Sequence, residues 1–151
     1  MYRGEADWSL IREVKNNPRI HIPIIGNGDV TTPEQAKKCF DEFGVDAIMV
    51  GRATFGCPWI FEDMQHYLTT GELLPPRSMQ WCVDILKEHV ERSIDWIGDE
   101  RKGIVHSRRH FAAPPAFKCL YDFRQTRIAL LRAETKVEVF QIMDEIVEKW
   151  G

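Results

Sequence analysis

The chain lacks several features that would have placed it quickly, and each absence narrows its class. Its four cysteines, Cys39, Cys57, Cys82 and Cys119, form no C-x-x-C pair and no metal-ligand spacing. That excludes a disulfide scaffold or zinc module and points to a reducing, cytoplasmic compartment. The five histidines, His21, His66, His89, His106 and His110, have no carboxylate or cysteine at convincing ligand spacing, so no metal is expected. No apolar run approaches the ~20 residues that span a bilayer. The opening Met1-Tyr2-Arg3-Gly4-Glu5 carries no signal-peptide core, so membrane insertion is not expected. There is no internal repeat and no low-complexity segment.

Against these absences stands an ordinary globular composition: 151 residues, 44% hydrophobic and 28% charged, with a net charge of −3. The charge is unevenly spread. Residues 1–75 hold seven Lys/Arg against eleven Asp/Glu, whereas residues 101–136 hold nine Lys/Arg against two acids. A specialised basic face is therefore expected in the second half.

Two apolar runs organise the first half: Ile22-Pro23-Ile24-Ile25-Gly26-Asn27-Gly28-Asp29 and Ala47-Ile48-Met49-Val50-Gly51-Arg52-Ala53. Short β-branched runs ending in glycine read as buried strands of a parallel sheet. Between them, Thr32-Pro33-Glu34-Gln35 has capping-box spacing with proline at the first helical position, and Gly44 is the stop. Together these make a strand, crossover helix, strand unit. Both glycine turns then lie at the C-terminal ends of neighbouring strands, where bare backbone can approach an anion. Arg52 could offer a phosphate a bidentate fork, or it could pair with a local carboxylate such as Glu62 or Asp63. The plainer alternative is that the glycines serve turns that hold no ligand.

Around this unit, Asp7 is expected to cap a short helix carrying Trp8, Ile11 and Val14. Pro58 starts another, carrying Trp59, Ile60, Met64 and Leu68 towards Gly71. Pro75-Pro76 marks a linker. Beyond it strand patterns vanish. Ser78 opens a long amphipathic helix closed by Gly98, with Cys82, Ile85, Leu86, His89, Val90, Ser93, Ile94 and Ile97 on one side. Further helices are expected over residues 100–111, 117–120 and 123–131. Thr135 and Glu138 make a capping box before a last helix packing Val139, Met143, Ile146, Val147 and Trp150. The sequence thus reads as mostly helical, an α/β segment followed by an all-α bundle.

At its glycine turns the sequence resembles the tRNA-dihydrouridine synthase family. Ile24-Ile25-Gly26-Asn27-Gly28-Asp29 and Met49-Val50-Gly51-Arg52-Ala53 resemble its seventh and eighth barrel strands, with Gly56-Cys57-Pro58-Trp59-Ile60-Phe61 as the stretch after them. Tyr2, Gly4, Ala6, Asp7 and Trp8 resemble the segment just after strand six. The resemblance implies the last βα units of a TIM-type flavin barrel over residues 1–74 and a helical tRNA-binding domain over 75–151. It also implies that Asn27, Gly28, Asp29, Gly51 and Arg52 hold the phosphate of FMN, with NADPH as reductant of the full enzyme. A hydride would pass from flavin to C6 of an extruded uridine and a cysteine would protonate C5.

That cysteine belongs to an earlier barrel segment, so no catalytic residue is expected in this chain, which alone should be inactive. At 151 residues it is also short of the ~200 a whole (β/α)8 barrel needs. Its strands should seek the missing barrel half or self-associate.

Arg108-Arg109-His110 resembles the family's Arg-Lys-His motif. With Lys118, Arg124 and Arg127, these residues are the expected tRNA contacts; the plainer reading is a solvated face over core aromatics. Two other readings remain: a stand-alone helical RNA-binding module with a vestigial barrel edge, and a part of another FMN-dependent barrel oxidoreductase.

Overall fold

A computed structural model describes residues 4–112 and 114–151. Tyr2, one of the residues that carry the family resemblance, lies outside the described residues, as does Ala113. Strand β1 (Ile25–Asn27), helix α2 (Pro33–Phe43) and strand β2 (Ala47–Met49) come after helix α1 (Ser9–Lys15). The two strands run parallel, with Ile25 opposite Ala47 and Asn27 opposite Met49. The crossover helix begins as its sequence dictates: the Thr32 hydroxyl accepts from Gln35 N, and Pro33 occupies the first turn. Helix α2 packs on α3 (Ile60–Thr70), burying Ala36, Cys39, Ile60 and Met64. Asp46 ties the entrance of the sheet, its carboxylate accepting Ile24 N at 2.7 Å and pairing with Lys15 at the end of α1.

The strands are shorter than the apolar runs, because only residues 25–27 and 47–49 find ladder partners. The sheet has two strands among the described residues and leaves Ile22, Ile25 and Met49 at 72%, 65% and 55% exposure. The cap of helix α1 lies one residue beyond the expected Asp7. Trp8 takes the cap position in helical geometry, while Asp7 accepts the Ser9 N–H and hydroxyl.

The chain divides into two compact units, one running up to Thr54 and resuming over Pro58–Pro75, the other made of Phe55–Cys57 and Pro76–Gly151. In the second unit, α4 (Met79–Ile97) packs on α5 (Glu100–Ala112) and α7 (Lys136–Trp150), and α6 (Arg124–Arg132) packs on α5 and α7. Ser78 caps α4 through Trp81 N, and Gly44, Gly71 and Gly98 close α2, α3 and α4 in left-handed geometry. Thr135 and Glu138 form the full reciprocal capping box.

The core contains Val83, Leu86, Val90, Ile104, Phe111, Leu130, Val139, Met143 and Ile146. Val83, absent from the expected apolar side of α4, is fully buried, because α5 and α7 together cover a wider stripe than one partner helix would. The helix expected over residues 117–120 is not formed. A single 3₁₀ turn, Pro115–Phe117, stands there instead, with Pro115 in its first position and Lys118 closing it by donating to Pro115 O. Beyond it, Phe123 packs between Phe117 and Trp150 at ring distances of 5.2 and 5.4 Å.

Candidate functional site

The two glycine turns leave β1 and β2 side by side and open on one cleft of about 770 Å³, lined by Asn27, Gly28, Asp29, Gly51 and Arg52 together with the segment Gly4–Ala6. All five residues singled out in the sequence are therefore brought together. Parallel register explains why: with Asn27 opposite Met49, the next residues of both strands emerge at the same edge.

The two glycines are needed for different reasons. Gly28 sits at φ 153°, and a Cβ there would lie 2.3 Å from the Ala6 methyl. Gly51 has no positive φ to excuse it, and among the described residues a Cβ would meet nothing within 4 Å. Its missing side chain leaves room on the wall of the cleft. The Gly51 carbonyl is held from behind by the Thr54 N–H and hydroxyl, which curls Arg52–Thr54 into a 3₁₀ turn.

Arg52 meets Asp29. Its Nη2 donates to Asp29 Oδ1 at 2.6 Å, joining the loop after β2 to the turn after β1. The other oxygen of Asp29 accepts the Ala6 N–H at 2.9 Å. Beneath them the Trp8 indole donates to Gly28 O at 2.9 Å, and its ring lies where a Cβ on Gly26 would be, 2.4 Å away. Trp8 and Ala6 thus form the floor of the turn. Residue patterns alone give them no such role. The usable signal is the pair Gly26 and Gly28 itself, since two glycines one residue apart require something packed closely against them.

The basic residues separate into three groups. Lys118, Arg124 and Arg127 line one depression of about 340 Å³ with Phe117, Leu120 and Phe123. Arg109 has its guanidinium carbon 5.8 Å from the Phe55 ring centre and its Nε donating to His106 O. Arg108 is half-buried and donates to Ala133 O at 3.1 Å, so it serves the fold of the helical unit.

His110 departs from the expectation of a surface contact. It is buried, its Nδ1 accepts the Gly56 N–H at 3.3 Å, and its ring lies 4.0 Å from that of His89. Burial, reinforced by His89, Arg109 and His106, pushes its pKa down to about 4. It is a neutral acceptor in the interior.

None of the four cysteines is among the residues lining the cleft. Cys39, Cys57 and Cys82 are buried, Cys119 is exposed, and burial raises the Cys39 thiol. Among the described residues no group of three or more His, Cys, Asp or Glu is arranged to hold a metal, and no helix is long and apolar enough to cross a membrane.

Two adjacent glycine turns at the carboxyl end of parallel strands, with an arginine beside them, therefore frame one cleft at the edge of a βαβ unit. The family profile described as dihydrouridine synthase (Dus) matches residues 1–147. The chain belongs to the dihydrouridine synthase family. It is 46% identical over 110 residues to tRNA-dihydrouridine synthase B of Proteus vulgaris, a match covering 73% of this chain and 33% of that protein. It is 37% identical over 152 aligned positions to the protein of the same name from Shewanella oneidensis, covering 98% of this chain and 45% of the relative. The Escherichia coli K12 protein of that name is 44% identical over 110 residues, covering 73% of this chain and 33% of the relative. The chain therefore spans between a third and a half of the length of these curated relatives.

Proposed function

We propose that this chain is the C-terminal portion of a flavin-dependent tRNA-dihydrouridine synthase, contributing the FMN phosphate site from residues 4–54 and a tRNA-binding surface from its helical unit. The observation that carries the flavin reading is the single cleft shared by the turns after β1 and β2, with the Gly51 wall open and Arg52 at its rim. Backbone amides of Gly28 and Gly51 and the Arg52 guanidinium are chemically suited to phosphate oxygens. Asp29 does not spoil the fit, because both its oxygens already accept hydrogen bonds. When bound, FMN supplies the hydride that reduces a uridine ring, and NADPH replenishes it.

This chain's own residues bind and orient. In the cleft they fix the phosphate end of the cofactor. On the helical unit, Lys118, Arg124 and Arg127 surround an apolar depression in which phosphate contacts and base stacking can coexist. Arg109, exposed beside Phe55, is a separate candidate contact. Arg108 and His110 hold the unit together. Such phosphate contacts orient an RNA by shape and carry no sequence code. The exposed apolar strand residues Ile25 and Met49, with Ile22 ahead of β1, fit a sheet continued by strands outside this chain, or by a second copy of it.

The test is a titration of the 151-residue chain with flavin, read by flavin fluorescence. FMN should bind measurably more tightly than riboflavin, because the site contacts only the phosphate end. Equal affinities, or none, overturn the flavin reading while leaving the basic surface to be tested separately.

A further inference from the structure

We infer that Asp29 is a positioning residue that aims Arg52 at the anion in the cleft and does not itself touch the flavin phosphate; this rests on the flavin reading. Asp29 lies at φ 51°, a left-handed conformation that aspartate and asparagine tolerate better than most side chains. That backbone turns its carboxylate towards two other segments. Oδ2 takes the Ala6 N–H at 2.9 Å and Oδ1 takes Arg52 Nη2 at 2.6 Å. One side chain therefore joins the segment before α1, the turn after β1 and the loop after β2.

A carboxylate lining an anion site is at first sight an error. An uncompensated negative charge there would repel phosphate, and a direct hydrogen bond would need a protonated carboxyl. Its engagement on both oxygens removes the contradiction. The Arg52 and Asp29 side chains are 66% and 38% exposed, so the pair does little for stability. What the pair does supply is geometry. A long, rotamer-rich arginine on an open loop loses affinity each time it must be ordered by its ligand. Held at Nη2 by Asp29, the Arg52 guanidinium is restrained where it lines the cleft.

The experiment uses the full chain and compares FMN with riboflavin for wild type, Asp29→Asn, Arg52→Gln and the double variant. Asparagine fits the same backbone geometry but places an amide donor against one of two donors, so one of the two links is lost. Asp29→Asn should weaken FMN about tenfold with riboflavin unchanged. On the Arg52→Gln background, Asp29→Asn should have almost no further effect, because it acts through the arginine.

Unchanged or tighter FMN binding by Asp29→Asn overturns the inference, since a merely repulsive carboxylate would behave so. Equal losses of FMN and riboflavin also overturn it, as would be seen if Asp29 contacted the ribityl chain or only maintained the fold. Additive losses in the double variant overturn it too. Failure of the wild type to prefer FMN to riboflavin is a different result, which overturns the flavin reading itself.

Discussion

The Trp8 indole N–H donates to the carbonyl of Gly28 across twenty residues of sequence, at 2.9 Å, while its six-membered ring fills the space beside Gly26. The turn that faces the cleft is thus propped from behind by a large aromatic. Trp8→Phe retains most of the ring contact and removes the donor, and should cost about 1 kcal/mol. Trp8→Ala removes the prop, and for a half-buried tryptophan should cost about 2–3 kcal/mol. Denaturant unfolding together with exchange of the β1 amides reads both.

Gly26 and Gly51 should respond oppositely to alanine. At Gly26 the added methyl would collide with the Trp8 ring, and overpacking of this kind costs about 1–3 kcal/mol. At Gly51 a Cβ meets no described residue within 4 Å, so Gly51→Ala should leave stability within about 0.5 kcal/mol of wild type. On the flavin reading it should nevertheless weaken FMN. Thermal denaturation paired with the flavin titration checks the contrast.

His110 predicts a pH dependence of the helical unit. Its pKa lies at about 4 in the folded protein against an ordinary 6.5, so between those values the unfolded chain binds more protons. Stability is complete above about pH 6.5 and falls as pH drops towards 4, by on the order of 2–3 kcal/mol. His89, also pushed down by burial and by His106, adds a loss of the same sign. His110→Asn, which can still accept from Gly56 N–H, should flatten the profile measured by urea unfolding from about pH 7 to about pH 4.5.

The basic surface can be separated from the basic interior. Replacing Lys118, Arg124 and Arg127 together by alanine should weaken tRNA binding and lower the slope of log K against log salt by about 2 to 3. Arg108→Ala should instead destabilise the helical unit, because its guanidinium donates to Ala133 O from a half-buried position. Filter binding across a salt series, with unfolding curves for each variant, distinguishes the two.

Thr135→Ala should cost about 1 kcal/mol by deleting the acceptor for Glu138 N at the start of α7. Glu138 still reaches Glu134 N and Thr135 N, so the loss should stop short of unfolding the helix. Circular dichroism melts provide the measurement.

Much of this architecture was legible because its causes are local. Thr32, Ser78 and Thr135 each offer a hydroxyl to an orphan N–H three residues on, and Gly44, Gly71 and Gly98 each adopt the left-handed cap. The β1-α2-β2 order comes from run length and β-branching. The five cleft residues meet because a parallel pair puts both turns on one edge. Less legible was the stretch from Pro115 to Leu120, where only Pro115–Phe117 form a 3₁₀ turn. Packing of Phe117 on Phe123, which in turn meets Trp150, outweighs local helix propensity.

Residue order alone therefore determined the caps, the crossover unit and the basic asymmetry, all of which depend on neighbours within a few positions. Only the tertiary structure decided which charges act where. It gave Arg52 to Asp29, sent His110 and much of Arg108 inside, gathered Lys118, Arg124 and Arg127 around one depression, and set Trp8 under Gly26 and Gly28. A charged or aromatic side chain reads the same in sequence whether it meets solvent or another segment, and its role is fixed by what folding brings against it.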